Sequence, residues 1–441
     1  MRINLTDNNL GQSDKNTFLR KDVAALFPIA DKTIDELCHE NESLLIFPHC
    51  IESCEDRIGD SHIIKILNTG NSEKVRITTG NVMGFVGVGG LQVKIKSRFD
   101  IGRDDYFLHY MLQKVLSFNI FDLNHNNDED DVFDFIMFMF PYFLKSALCQ
   151  GIYREYRNYK HNDANIKGPI DINRHITKNI PHVGNFAYST REYSHDNNIT
   201  QLIRHTIEFM KTRKYGQSIL CIDKETIQNV ATIVEHTPSY DQNVRSSIIN
   251  KNLRIKAHPY YTEYRPLQTL CLQILRMEEV KYGESTDDIC GILFDGAWLW
   301  EEYVNTVLKK VGFTHPENKH HKGGIYLFED RSGIRYPDFY TKDFVLDAKY
   351  KKLGSYHKVS QVAPDDIHQV HAYMSTLHAT KGGFISPLPD KQIKVPTSRF
   401  TGSASTLSIF GIEISKIATS YSDFCNDMIK MEKIFIDSLN L

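Results

Sequence analysis

Hydrophobic positions along the chain change their spacing twice, and the changes divide the sequence into three segments. Residues 1–102 alternate apolar and polar positions between Asn, Gly and Ser turns, which predicts a mainly β N-terminal module with one early helix. Residues 103–258 repeat apolar residues at helical spacing and predict a helical middle region. Residues 259–441 alternate helices with short strands, so we expect an α/β domain whose mixed sheet is flanked by helices.

The glycine-rich stretch Gly87-Val88-Gly89-Gly90 predicts a β-hairpin. A dinucleotide-binding loop would need a third glycine at the right spacing and a following helix. Here a strand follows instead, with Leu91, Val93 and Ile95 as its apolar face. The sequence also contains no GxxxxGK[ST] phosphate loop. If nucleotide hydrolysis matters to this protein, a partner performs it.

Residues 336–350 hold the candidate chemistry. They predict two short strands around a tight turn, the first opening with Pro337-Asp338 and the second ending in Asp347-Ala348-Lys349. A turn centred on residues 342–343 makes the two aspartates cross-strand neighbours, with Cβ atoms about 5 Å apart. Lys349 lies two residues beyond Asp347 and therefore on the same face. Facing carboxylates repel each other, so the pair predicts a compensating cation.

The helix predicted over residues 297–311 adds two adjacent acids, Glu301 and Glu302. At 100° per residue, Glu301 lies on the flank of the apolar face and can lean toward the sheet. Glu302 points away from that face, and we interpret it as a solvated helix charge.

The helix predicted over residues 365–378 places Asp366, Gln369 and Tyr373 in one stripe. Gln369 and Tyr373 could hold Lys349, a water molecule or a substrate phosphate. The alternative is a polar flank with one packed tyrosine. The pattern by itself does not choose between the two.

These residues suit metal-assisted phosphodiester hydrolysis. Asp338, Asp347 and Glu301 would bind Mg²⁺ or Mn²⁺, because such ions take a few carboxylates and complete their shell with water. Lys349 would orient the attacking water or neutralise charge on the phosphorus. The structural alternative makes Asp338 a turn residue and Asp347–Lys349 an exposed ion pair, worth under about 1 kcal/mol. The apolar strand before Asp347 favours catalysis, since acids seldom end so apolar a strand without a role.

Composition narrows the class of protein. A chain of 441 residues is too long for one ordinary core, and its 41% hydrophobic and 24% charged residues are typical of a soluble globular protein. The net charge of −3 argues against nucleic-acid binding through overall basicity but leaves room for a local basic groove. The longest apolar run, residues 135–140, is far shorter than a membrane span, and the N-terminus lacks the apolar region of a signal peptide. We therefore expect a cytoplasmic protein.

The cysteines support the same compartment, since eight cysteines spread over a chain of this size suggest reduced thiols. Cys38, His39, His49, Cys50 and Cys54 form one cluster from which four metal ligands could be chosen. No Cys-x-x-Cys pair is present, so ordinary buried or surface residues are favoured over a zinc site.

A basic and aromatic stretch over residues 153–161 has two interpretations. Interleaved cations and rings can form a nucleic-acid surface. The alternative is the solvated end of a helix whose tyrosines pack inward, and the sequence pattern favours that interpretation.

The combined motifs of the last segment resemble the PD-(D/E)xK nuclease superfamily, with Asp338 and Asp347 as its acids and Lys349 as its lysine. Within that superfamily the chain looks like the McrC family, the nuclease subunits of McrBC-type restriction systems. The stretches that carry this resemblance are Leu293-Phe294-Asp295, Leu299-Trp300-Glu301-Glu302-Tyr303-Val304, Asp347-Ala348-Lys349-Tyr350-Lys351, Gln369-x-x-x-Tyr373 and, upstream, Gly84-Phe85-Val86-Gly87, Lys96-Ser97-Arg98-Phe99, Tyr106-Phe107-Leu108 and Asn165-Ile166-Lys167-Gly168-Pro169-Ile170-Asp171. Gly296-Ala297-Trp298 departs from the Met-Asn-like pair of relatives.

The resemblance implies a Mg²⁺-dependent DNA endonuclease that works with a ring-forming, McrB-like AAA+ GTPase. The partner would recognise and translocate DNA, and the N-terminal module would insert into the ring and stimulate its GTPase. Two other functions stay open: a non-catalytic nuclease-fold adaptor of an AAA+ partner, and a stand-alone repair or transposition nuclease. The intact Asp338, Asp347 and Lys349 favour an active nuclease.

Overall fold

The alternating apolar positions of the first hundred residues form β-strands, as the sequence predicts. The computed structural model describes residues 2–440 apart from 12–15, 42–43, 49–56, 101–104, 117–130, 182–183, 214–215, 256–257, 282–288, 317–322 and 393. The elements of the N-terminal part are β1 (Arg2–Thr6), β2 (Thr17–Leu19), α1 (Ile34–Glu40), β3 (Leu44–Phe47), β4 (Ile64–Asn68), β5 (Lys74–Thr79), β6 (Val82–Val88), β7 (Leu91–Lys96) and α2 (Tyr106–Leu116).

The predicted glycine hairpin joins β6 to β7 and is confirmed. The two strands are antiparallel, with Val88 opposite Leu91. Gly89 and Gly90 form the turn with φ of 54° and 76°, a left-handed conformation that residues with a Cβ adopt at a cost. β1 lies parallel to β7 on its other side.

Residues 131–281 are mainly helical, as predicted, but they also contain a long antiparallel hairpin. The elements of this region are α3 (Asp131–Cys149), β8 (Glu155–Asp163), α4 (Ile172–Asn179), β9 (Phe186–Ser194), α5 (Asn198–Lys211), α6 (Gly216–Leu220), α7 (Lys224–Glu235), α8 (Arg245–Asn252) and α9 (Tyr264–Lys281). Helix α8 ends shortly before residue 258, where the sequence pattern predicts a domain boundary.

The helical interpretation of residues 153–161 is wrong, because β8 covers most of them. Tyr153, Tyr156 and Tyr159 recur every three residues, which imitates helical spacing. In the strand Tyr156 and Tyr159 lie on opposite faces, so Tyr156 is exposed while Tyr159 is half-buried, and Tyr153 is buried ahead of the strand. The nucleic-acid interpretation of this stretch stays a prediction.

The last part of the chain has the mixed α/β architecture that we expected. Its elements are β10 (Ile289–Asp295), α10 (Gly296–Leu308), β11 (Ile325–Tyr326), β12 (Ile334–Arg335), β13 (Phe339–Tyr340), β14 (Phe344–Ala348), α11 (Pro364–Leu377), β15 (Lys381–Leu388), β16 (Thr397–Arg399), β17 (Thr406–Glu413) and α12 (Tyr421–Ser438). A five-stranded sheet has the order β13-β14-β15-β17-β16, in which β14, β15 and β17 are parallel and the two outer strands antiparallel. Strand β11 is two residues long and, in the described part of the chain, pairs with β12 in a separate sheet.

Strand β10 was not predicted as part of the N-terminal sheet, yet it lies there. The sheet order is β1-β7-β6-β10-β3, with β10 antiparallel to β6 and parallel to β3. Gly291 permits this approach, because a Cβ there would lie 2.4 Å from the carbonyl oxygen of Phe85. Contacts accordingly group Met1–Asn124 with Thr286–Leu441, while His125–Ser285 form a second unit. The domain boundaries near residues 102 and 258 stay a prediction drawn from sequence pattern.

A buried glutamate joins three helices of the first unit. Glu432 of α12 is 5% exposed, and its Oε1 accepts hydrogen bonds from the hydroxyls of Tyr110 at 2.6 Å and Tyr303 at 3.1 Å. Its Oε2 lies 3.0 Å from Nζ of Lys114. Because Tyr110 and Lys114 belong to α2 and Tyr303 to α10, this one carboxylate ties both helices to α12.

None of the described helices is long and apolar enough to cross a membrane. Of the candidate zinc cluster, Cys38 and His39 lie in α1. His49, Cys50 and Cys54 lie outside the described residues.

Replacing Glu432 by alanine should destabilise the protein by about 3 kcal/mol, because the Lys114 ammonium and two tyrosine hydroxyls lose their buried partner. Thermal and urea unfolding measure the change. Lys430→Ala on the same helix is the control, since its ion pair with Asp427 is exposed and such pairs contribute under about 1 kcal/mol. Equal losses in the two variants would contradict the assignment.

Candidate active site

The predicted turn between β13 and β14 is confirmed. Phe339 pairs with Leu346 and Tyr340 with Val345, so the antiparallel register aligns Asp338 with Asp347. The backbone N–H of Ala348 donates a hydrogen bond of 2.7 Å to Oδ2 of Asp338. The spacing of the two aspartates therefore determines that they face each other where β14 ends.

Burial raises the pKa values of both carboxyl groups and so disfavours the state in which both are ionised. Asp347 is 3% exposed and Asp338 is half-buried. Burial raises the pKa of Asp338 to about 7, and the charge of Glu301 adds to the shift. Burial likewise raises the pKa of Asp347 to about 7, and here the charge of Asp338 adds to it. Without a cation, the pair therefore retains protons close to neutral pH.

Lys349 lies beside these acids, as predicted. Its backbone N–H donates to the carbonyl of Ile385 at 2.8 Å, which extends the pairing of β14 with β15 by one residue. Its Nζ lies 2.8 Å from Oδ2 of Asp347 and 3.0 Å from Oδ1 of Asp366. Burial alone would lower the pKa of Lys349, but the two carboxylates outweigh it and raise that pKa. The ammonium therefore stays charged.

Asp366 is a site residue to which the sequence assigned no role. Its Oδ1 holds Lys349, while its Oδ2 lies 3.0 Å from Nζ of Lys351. Burial opposes its ionisation, but the hydrogen bonds from Lys351 and Lys349 lower the pKa of Asp366. Its place in the first turn of α11 also favours a negative charge. Its position on one helical stripe with Gln369 was the sequence feature that could have identified Asp366 as a site residue.

Gln369 and Tyr373 lie on the same helix but contact each other. Nε2 of Gln369 donates to the hydroxyl of Tyr373 at 3.0 Å. Tyr373 is 5% exposed, and burial raises the pKa of its hydroxyl, with the charges of Asp338 and Asp347 adding to the shift. The tyrosine therefore lies beside the aspartates, whereas the described ion-pair partners of the Lys349 ammonium are Asp347 and Asp366.

His315 completes the site from a loop that the sequence did not single out. Its Nδ1 donates to the carbonyl of Asp338 at 2.6 Å. Its Nε2 lies 3.9 Å from Oε1 of Glu301 and 3.7 Å from Oε1 of Glu302. The interpretation of Glu302 as merely solvated is therefore wrong. An isolated bridge between Thr314 and Tyr340 places this loop beside β13, and local sequence gives no sign of such a pairing.

The donor set fits a hard cation that needs few protein ligands. Asp338 and Asp347 offer carboxylate oxygens from facing strands, and Mg²⁺ uses one or two carboxylates with water or phosphate in its other positions. Among the described residues, no three of the His, Cys, Asp and Glu side chains are grouped as ligands of one ion. Glu301 acts on the charge of Asp338 but does not complete a three-residue ligand set with the two aspartates.

Together, the sheet and its polar cluster define a mixed α/β protein with a carboxylate–lysine centre at the carboxyl end of β14. Comparison with known proteins gives the family. Residues 77–387 match the model of the McrBC 5-methylcytosine restriction system component family. The chain belongs to this family, which confirms the resemblance inferred from its motifs.

A solved structure agrees on the fold. A chain in the refined half-complex from a tetradecameric assembly of Thermococcus gammatolerans McrB AAA+ hexamers with bound McrC aligns with a TM-score of 0.50 and 16% identity, covering 98% of this chain and 100% of that one. A chain in the cryo-EM structure of the McrBC complex of the same organism aligns at a TM-score of 0.34 and 14% identity, over 70% of this chain and 88% of that one. A search of curated proteins returned no match.

Asp338→Asn should stabilise the metal-free protein at pH 8. Because the folded-state pKa of about 7 exceeds the ordinary value of 3.8, the native state holds an extra proton between these values and loses stability as pH rises through them. Asparagine carries no such charge, so we expect a gain of about 2 kcal/mol at pH 8 after screening. The gain should shrink toward pH 4.

Thermal unfolding in a chelating buffer at several pH values measures this difference. Asp343→Asn, in the exposed turn of the same hairpin, is the matched control and should change little. A gain in stability that does not depend on pH would show that ionisation of Asp338 is not what destabilises the folded protein.

His315→Gln should destabilise the protein at pH 6, and the loss should fade at higher pH. Burial alone would lower the pKa of His315, but the close carboxylate of Glu302, the hydrogen bond to the Asp338 carbonyl and the charge of Glu301 raise it to about 9. The added stability is complete below the unfolded value of 6.5 and disappears as pH rises through 9.

We expect a loss of about 1–2 kcal/mol at pH 6, measured by thermal unfolding. His368→Gln, at an exposed position of α11, serves as the control. A constant loss from pH 6 to 10 would mean that packing on Phe339 is what His315 contributes, since the two rings stack with centroids 4.9 Å apart.

Proposed function

We propose that the chain is the metal-dependent DNA endonuclease subunit of a McrBC-type restriction complex. The observation that supports this most directly is the facing pair of Asp338 and Asp347 with Lys349 beside it. The order of β13, β14, β15 and β17, followed along the chain with α11 between β14 and β15, supports a PD-(D/E)xK core. Family membership supplies the biological setting.

Asp338 and Asp347 would bind the cation, because its positive charge would offset the repulsion between their carboxylates. A bound Mg²⁺ or Mn²⁺ would polarise the phosphate, favour ionisation of a nucleophilic water and stabilise the leaving oxygen. Ionising both carboxyl groups costs free energy, because they are buried and repel each other. A divalent cation between them would lower that cost. Glu301, next to Asp338, would act on the electrostatics of the site or through a water molecule.

Lys349 would stabilise negative charge on the phosphate that is being cut. Its raised pKa keeps it an ammonium at neutral pH, so it cannot accept a proton from the attacking water. A fixed cation with 17% exposure is, by contrast, well suited to the extra charge of the transition state. Asp366 binds the same ammonium as Asp347 and so helps to orient it. Tyr373 and Gln369 would line the site next to the aspartates.

A partner that uses a nucleoside triphosphate is the second half of the proposal. The structure with TM-score 0.50 is an assembly of McrB AAA+ hexamers with bound McrC. We infer that this chain likewise binds a ring-forming AAA+ GTPase through residues 1–102, stimulates its hydrolysis and acts on DNA in the cytoplasm. The lack of a phosphate loop in the sequence agrees with this division of labour.

Lys349→Ala and Asp347→Ala should each lower DNA cleavage by at least about 100-fold, since each removes a group placed against the reacting phosphate or its cation. The chain is co-expressed with a McrB-like AAA+ protein, and cleavage and nucleotide hydrolysis are measured with Mg²⁺ and with Mn²⁺. Stimulation of hydrolysis should survive both substitutions. Lys342→Ala, in the exposed turn of the same hairpin, is the control.

The same experiment separates the alternatives. Cleavage that persists in both variants, or in a chelating buffer, ends the proposed mechanism. A wild-type chain that stimulates the partner but cuts no DNA with either metal is a non-catalytic adaptor. A wild-type chain that cuts equally well without any partner is a stand-alone nuclease.

A further inference from the structure

The motif Lys96-Ser97-Arg98-Phe99 follows β7, far from the candidate active site in sequence. Arg98 is largely enclosed, with a side chain 11% exposed. Its Nη1 donates to Oδ2 of Asp7 at 2.9 Å and to Oδ1 of Asn81 at 3.2 Å, and its Nη2 donates to the backbone carbonyl of Tyr350. One guanidinium therefore joins the ends of β1 and β7 and the start of β6 to the residue that follows Lys349.

Tyr350 is held by the same sheet through its side chain. The guanidinium of Arg98 lies 4.5 Å from the centre of its ring, and the ring of Phe99 meets it edge-on at 5.0 Å. Its hydroxyl shares a hydrogen bond of 2.7 Å with Oγ of Ser97. Gly296 leaves room for the ring, because a Cβ there would lie 2.8 Å from it. This contact explains why a glycine suits position 296, where the chain departs from its relatives.

The backbone reverses direction at Tyr350. The N–H of Lys349 still bonds to Ile385 of β15, but the N–H of Lys351 donates to the carbonyl of Lys349 at 2.8 Å, which is a turn of three residues. Lys349 begins this turn and Lys351 ends it, and their ammonium groups contact the two carboxylate oxygens of Asp366. The carbonyl that Arg98 binds is the one at the centre of the turn.

We propose that Arg98 is a positioning residue for the reaction, which binds the turn at Tyr350 and thereby holds Lys349 between Asp347 and Asp366. This role rests on the proposed nuclease function. Arg98 does not touch the reacting atoms, but a displacement of about 1 Å in a group that must meet a phosphate can cost about 100-fold in rate. The planar fork of arginine serves this purpose because it reaches a carboxylate, an amide oxygen and a carbonyl together.

A purely structural role is the competing explanation, since Asp7 is buried and needs a partner. Burial raises the pKa of Asp7 to about 6 even though the charge of Arg98 opposes the shift. Replacing Arg98 alone would leave that carboxyl group unpaired and could unfold the sheet. The informative variant therefore neutralises both residues, as Arg98→Gln with Asp7→Asn.

Strand β7 carries a matched control. Nζ of Lys94 lies 3.0 Å from Oδ2 of Asp105, and these side chains are 16% and 1% exposed, which is close to the burial of the Arg98–Asp7 pair. Lys94→Gln with Asp105→Asn removes a similarly buried ion pair that involves β7, and it leaves the contact between Arg98 and Tyr350 in place.

The variants are assayed as full chains with the AAA+ partner, by DNA cleavage kinetics and by hydrogen exchange of the amides in residues 349–353. For Arg98→Gln with Asp7→Asn we expect kcat to fall at least about tenfold, KM for DNA to stay within about twofold, and exchange at residues 349–353 to accelerate. Stimulation of nucleotide hydrolysis should be unchanged. The Lys94–Asp105 variant should resemble the wild type in all three readouts.

A folded Arg98–Asp7 variant with wild-type kcat and protected amides overturns the proposal, and so does an equal loss of kcat in the Lys94–Asp105 variant. If the double variant does not fold, Arg98→Lys takes its place, since lysine keeps the charge beside Asp7 but cannot also bind the carbonyl, and the same changes in kcat and exchange are expected. If the wild type cuts no DNA, the nuclease function fails, while hydrogen exchange still decides whether Arg98 holds the turn.

Discussion

The mutual repulsion of Asp338 and Asp347 is the constraint around which the rest of the site is arranged. Two carboxyl groups face each other across a short hairpin, and burial raises the pKa of each to about 7. The positively charged neighbours offset part of this repulsion, whereas Glu301 and Asp366 add to it. Lys349 pairs with Asp347 from one side, and His315 binds the backbone of Asp338 from the other. The proposed divalent cation would offset the repulsion that remains between the two carboxylates.

The N-terminal strands are part of the architecture that holds this site. Strand β10 pairs with β6 and β3 and leads directly into α10, which carries Glu301. Trp300 of the same helix donates from its indole N–H to the carbonyl of Ile385 at 3.2 Å, the oxygen that also accepts from the backbone of Lys349. Helix and strand thus share one acceptor, so the position of Glu301 relative to the hairpin depends on the N-terminal sheet as well as on the sheet that contains β14 and β15.

Local features of the fold could be predicted because local contacts decide them. The spacing of Asp338 and Asp347 around residues 342–343 sets the hairpin register, and glycines at 89 and 90 set the turn before β7. Helices with strong apolar periodicity, such as α5 and α7, lie where that periodicity predicts. The failure at β8 has a local cause too, since tyrosines at every third position imitate a helix. Nothing in the local pattern revealed that their backbone pairs with β9.

The sequence by itself determined which chemistry is possible: two acids and a lysine placed on one face by a period of two, without a phosphate loop to bind a nucleotide. The tertiary structure decided how those groups behave, because pKa shifts depend on burial and on neighbours distant along the chain. Asp366 and His315 became partners only when α11 and the loop before β11 packed beside the hairpin. Arg98 reached Tyr350 across 252 residues of sequence. Residue types and spacing specify donors and acceptors, whereas distance, enclosure and charge balance arise only from packing.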